Sequence, residues 1–251
     1  MDFRDPFAKA AAGTYQQARA VERDAGLRAY MLKIYNYMAS ALALTGIVAL
    51  FTANSPALLS ALYQVNGNMV GPSGLGYLVM FAPLGLVLWL GMGIHRMSVG
   101  TAQAIFWVYS VLIGLSMATI FLTFTGESIA RAFFVTAGTF GAMSLYGYTT
   151  KRDLTGVGSF MVMGLIGLLV ASLVNIFLQS SALSFATSVI GVVIFVGLTA
   201  WDTQRLKANY YEVVGHGEAI AKASIMGALN LYMDFINMFM YLLRFFGDRR
   251  N

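Results

Sequence analysis

The chain has no cysteine and only two histidines among its 251 residues. The first absence excludes disulfides, thiolate metal sites and a cysteine nucleophile, though it says nothing about compartment. The two histidines, His95 and His216, lie at the edge of an apolar run and in a Gly-rich turn, where solvated loop residues are commoner than metal ligands. Charge is equally scarce. Asp, Glu, Lys and Arg together make up 11% of the residues, too little to cover a water-soluble domain of this length. No P-loop, dinucleotide fingerprint or HExxH occurs, so neither an enzyme nor a bound cofactor is expected.

What the chain does have is apolar length. Hydrophobic residues make up 58% of it and its mean hydropathy is +0.70, which predicts an all-α polytopic membrane protein. A span needs about 20 mostly apolar residues. Seven stretches qualify, at roughly 30–53, 76–95, 101–123, 128–149, 156–178, 183–205 and 221–246. Residues 1–29 read as a polar cytoplasmic tail, with Arg4, Lys9, Arg19, Arg23 and Arg28 set against Asp2, Asp5, Glu22 and Asp24. This tail lacks the apolar core and cleavage site of a signal peptide, so the first span should stay as an anchor. Residues 30–251 then form a single seven-helix domain whose partner is the lipid bilayer. The net charge of +5 is spread between spans and reads as a topology signal, not as a nucleic-acid footprint. An N-terminus inside gives the cytoplasmic side Lys33, Arg96, Lys151, Arg152, Arg205, Lys207 and Lys222, and leaves the outer loops only Arg131. The last segment breaks the bias, because a full crossing puts Arg249 and Arg250 outside; a partly re-entrant helix is the other option.

That segment carries a row of polar residues. Asn230, Asp234, Asn237, Tyr241 and Arg244 recur at steps of four and three, so they share one helix face. A carboxylate deep in a span costs roughly 2.5–3.5 kcal/mol on insertion scales and needs water, a partner or a proton. Lipid supplies none of these, so the row faces inward and the other helices sheathe this one. Asp202, in FVGLTAWDTQRL, is the only other acid deep within an apolar segment. The midpoint of 202 and 234 is residue 218, within the break Gly215-His216-Gly217-Glu218, which places the two carboxylates at one depth in a helical hairpin, in the cytoplasmic half. Two close carboxylates in a poorly solvated site should share a proton. Doubly ionised, they would attract a basic side chain or a hard cation such as calcium, held transiently. Arg96, at the cytoplasmic end of the second span, is the candidate counter-ion: an arginine that lets go when the pair takes up a proton makes a gate.

Four stretches carry a resemblance: LRAYMLKIYNYMASALALTGIVAL at 27–50, GYTTKRDLTGVGSF at 147–160, WDTQRL at 201–206 and ALNLYMDFINMFMYLLRFFG at 228–247. Together they resemble the transmembrane Bax inhibitor motif family in its bacterial branch, over residues 27–247. The resemblance implies a seven-helix bundle with the C-terminal helix central, in the inner membrane, and a pH-sensitive calcium leak. It also implies that Asp202 and Asp234 form a paired proton sensor latched by the residue matching Arg96. Bacterial relatives are linked to modulation of a membrane-anchored protease, so the alternative is a non-conducting regulator of such a partner. A proton-coupled transporter would use the same two acids, and an intramembrane aspartyl protease is disfavoured because Asp234 follows Leu-Tyr-Met where those enzymes have GxGD.

Overall fold

Five of the helices begin where the sequence supplies an oxygen to cap them. Ser55, Ser73, Ser98, Thr125 and Ser180 each accept the backbone N–H three residues on, from Leu58, Gly76, Thr101, Ser128 and Leu183, which satisfies donors that a helix start leaves open. The computed structural model describes residues 6–66 and 69–250. In chain order these form α1 (Pro6–Ala53), α2 (Pro56–Leu62), β1 (Tyr63–Asn66), β2 (Met69–Pro72), α3 (Gly74–Gly93), α4 (Val99–Thr123), α5 (Gly126–Thr149), α6 (Thr155–Leu178), α7 (Ser181–Val213) and α8 (Gly217–Phe246). Among the described residues seven helices, all but α2, are long and apolar enough to cross a membrane. The protein is an all-α polytopic membrane protein.

Helix α8 is the axis. It packs against α1, α4, α5 and α7, and 61% of its most apolar window is buried, against 6% for α6. Leu231, Tyr232, Met238 and Leu243 on α8 are fully or almost fully enclosed. One polar knot ties three helices: Thr45 of α1 donates to the carbonyl of Ser110 on α4 at 2.9 Å, and accepts the hydroxyl of Tyr232 on α8 at 2.6 Å. In an apolar bundle each of these groups would otherwise be buried without a partner, which costs about 1–3 kcal/mol.

The structure departs from the sequence reading in three places. Helix α1 begins at Pro6, so residues 6–29 continue it in place of a separate tail, and Leu27 is already buried in the bundle. Tyr30, at the expected boundary, is buried as well. Helix α7 runs eight residues past the expected end at 205, to Val213, because Leu206 and Tyr210 keep the inward face apolar and buried. The uncharged first loop holds α2 and an antiparallel hairpin in which Tyr63 pairs with Pro72 and Asn66 with Met69.

The open question of the last segment is also answered. α8 is one unbroken 30-residue helix, about 45 Å long at 1.5 Å per residue. Its C-terminal extension pairs with the turn between α4 and α5, at the end of the bundle opposite the α7–α8 turn. Arg249 bridges Phe124, the Thr125 N–H donates to the Asp248 carbonyl at 3.1 Å, and the Arg250 N–H donates to the Thr123 carbonyl at 2.9 Å. Ser128 closes the strap, accepting the Asp248 N–H at 2.9 Å and donating to its carboxylate at 3.2 Å.

Candidate functional site

The two sequence motifs that flank the aspartates interlock. Gly147 of α5 lies against the backbone of Ala200, and Gly158 of α6 lies under the ring of Trp201, so any Cβ at either glycine would collide with α7. Thr203 reaches Ser144 at 3.4 Å. Gln204 accepts the Leu154 N–H and donates to the Arg152 carbonyl, both at 2.8 Å, and Lys207 donates to the Tyr148 carbonyl at the end of α5 at 2.9 Å. Residues 200, 201, 203, 204 and 207 thus fasten α7 to α5, α6 and their connection. With 100° per residue, that leaves the face of Asp202, Arg205, Leu206 and Asn209 turned toward α8.

On that face the two carboxylates meet. Asp202 and Asp234 are 8% and 5% exposed, and their carboxyl groups are neighbours across the α7–α8 seam. Ionised carboxylates only accept, so any bond between them requires a proton. The Oδ2 atom of Asp234 is buried without a hydrogen-bond partner among the described residues. The helix register agrees along the seam: Leu206 touches Gly227, and Gly191 and Phe195 lie against Tyr241. The turn itself is at 214–216, where Gly215 takes a φ of +93°, a few residues before the expected midpoint.

The polar row of α8 runs between two cavities. One, of about 310 Å³, opens at the α7–α8 turn end and is lined by Asp202, Arg205, Asn209, Glu212, Gly227 and Asn230 among others. Beyond it Asp234 is enclosed, and Asn237 donates to the Met233 carbonyl of its own helix at 2.8 Å. Tyr241 then fills the seam, seated on Gly191 and stacked on Phe195 with ring centroids 5.9 Å apart. Arg244, with its guanidinium 6.0 Å from the Tyr241 ring centre, lines the second cavity, of about 650 Å³, at the opposite end.

Arg96 is not in this constellation. It is exposed in the turn after α3, and the ion pairs among the described residues are Glu127–Arg131 and Glu218–Lys222. The guanidinium beside Asp202 belongs to Arg205, which also lies 5.4 Å from the Trp201 ring centre. The sequence reading counted Arg205 as a topology charge and passed over Asn209. Their spacing of three and seven from Asp202 was the available signal. Among the described residues no group of three His, Asp or Glu side chains could hold a metal ion.

Residues 27–251 match the profile of the family described as inhibitor of apoptosis-promoting Bax1. The chain belongs to this Bax inhibitor family. It is 55% identical over 228 residues to a protein of Rickettsia prowazekii, covering 91% of this chain and 93% of the relative. It is 51% identical to a protein of Caulobacter vibrioides, covering 90% and 91%. The inner membrane protein YbhL of Escherichia coli is 48% identical over 232 residues, covering 92% and 96%. The Bax inhibitor match begins at residue 27, and Leu27 is part of the packed core.

Proposed function

We propose that this Bax inhibitor family protein is a passive, proton-gated cation leak, with calcium as the ion. The observation that carries the reading is a pair of buried carboxylates, facing each other across α7 and α8, at the inner end of a polar row that joins two cavities. With a shared proton the pair carries one negative charge, and with none it carries two. The doubly charged pair binds a guanidinium, and protonation releases it, so flux rises as pH falls. Two carboxylates and nearby amides are fewer than the six to eight oxygens calcium prefers. The ion therefore keeps most of its water and binds transiently, as a leak requires. Arg205 stands closest to the part of latch, with Arg96 the alternative from the exposed turn.

Placement follows from charge. Lys151, Arg152, Lys207 and Lys222 cluster at the end of the bundle that holds the α7–α8 turn, which supports a cytoplasmic reading of that end and of the N-terminus. The inner-membrane name of the Escherichia coli relative supports the same membrane for this chain. No enzymatic step is assigned to the aspartates.

Purified protein in liposomes loaded with a calcium indicator tests the reading. Downhill calcium entry should grow on acidification in the wild type and lose its pH dependence in Asp202→Asn/Asp234→Asn. A pH profile unchanged by the double substitution removes the gate, and uphill movement driven by a pH gradient replaces the leak with a transporter.

A further inference from the structure

The cavity at the far end of the bundle has a chemistry of its own. It opens over about 650 Å³ between α4, α6, α7 and the end of α8, and the guanidinium groups of two exposed residues, Arg244 and Arg249, line it with no acidic side chain among the lining residues. The nearest carboxylate in sequence, Asp248, is turned away to Ser128. The other arginine placed at this end from the sequence, Arg131, is occupied by Glu127 at 2.8 Å. Arg244 and Arg249 have no carboxylate partner among the described residues.

Hydroxyl and amide groups face the same space. Ser172 and Ser188 donate back to the Leu168 and Ser184 carbonyls of their own helices. Ser184 Oγ accepts from the Asn175 amide at 2.7 Å and keeps its own proton free to donate. The charged donors of the cavity are therefore two guanidinium forks, which have no acceptor capacity at all, with the Ser184 hydroxyl among the neutral donors beside them. Their position adds to the case: Arg244 and Arg249 lack an acidic partner among the described residues, whereas Arg131 at the same end has Glu127.

We propose that this cavity is a binding site for an oxyanion, a phosphate or carboxylate group bridged by Arg244 and Arg249 with Ser184 as a third donor. Guanidinium forks match such groups with paired, charge-assisted hydrogen bonds. The group comes either free from the outer compartment or as the headgroup of an anionic lipid in the adjoining leaflet. The site does not depend on the leak, since binding is read without flux.

Thermal unfolding of the full chain in detergent, against inorganic phosphate at constant ionic strength, gives the first arm. Native mass spectrometry of bound phosphatidylglycerol gives the second. Saturable stabilisation by phosphate, weakened about tenfold or more in Arg244→Gln/Arg249→Gln and unchanged in Arg131→Gln, supports a free oxyanion. Lipid retained by the wild type and lost in the paired variant, without a phosphate effect, supports the headgroup. Should the paired variant not fold, Arg249→Gln and Ser184→Ala take its place with the same expected direction. Binding in neither arm, or binding that the variants leave intact, overturns the site.

Discussion

Asp202 and Asp234 show how much of a side chain's behaviour is set by its neighbours. Each alone is an acid that lipid would force to neutrality or to a partner; side by side, they are the pair on which the proposed gate rests. Arg205 lies beside Asp202 on the same helix face. Replacing this latch candidate by Gln should move the pH midpoint of calcium flux toward alkaline values, since no guanidinium then has to be released. The shift should be under about one pH unit, because Arg205 is exposed and water screens it. Arg96→Gln in the same liposome assay should leave the midpoint in place, and the reverse pattern would restore Arg96 as the latch. Gly147 answers to packing instead. A methyl group there meets the Ala200 backbone, which cannot swing aside as a side chain can. Gly147→Ala should lower stability by about 1–3 kcal/mol, read as an earlier thermal transition in detergent, while Gly138→Ala, with open space around it, should change little.

Among elements, α7 and α8 divide the work. α7 is fastened on one side by Trp201, Thr203, Gln204 and Lys207, and offers Asp202 on the other. α8 carries a polar row that the bundle encloses at its middle and opens at its ends. The row is interrupted at Tyr241, whose ring sits on Gly191 and Phe195. An aromatic stack in an otherwise polar seam is a barrier to a hydrated ion. Tyr241→Ala should therefore raise the basal calcium leak at neutral pH while keeping its acid response, because Asp202 and Asp234 are untouched. A basal rate equal to wild type would place the barrier elsewhere along the seam.

For the whole molecule the strap at the C-terminus matters most. Residues 247–250 pair with the α4–α5 turn, so α8 runs from one end of the bundle to the other, which predicts a C-terminus on the side opposite the α7–α8 turn. The lack of cysteine makes this directly testable, since any introduced thiol is the only one present. In intact spheroplasts a membrane-impermeant maleimide should label Arg250→Cys, and should label Lys151→Cys only after permeabilisation. Labelling of both residues under the same condition would put the C-terminus back on the cytoplasmic side.

Composition and periodicity alone determined the class, the seven spans and the inward polar face of the last one, because lipid penalises each charge by where it lies along and around a helix. The near-equal distance of Asp202 and Asp234 from one Gly-rich break was enough to pair them, since a hairpin of two helices leaves little choice of neighbour. Tertiary structure decided the rest. Which arginine stands by the pair depends on how α7 is rotated by its anchors on α5 and α6, and no local pattern encodes that rotation. The two cavities, the Tyr241 plug between them and the strap that carries α8 fully across arise from contacts between helices far apart in sequence, where burial and backbone pairing outweigh anything a single segment prefers.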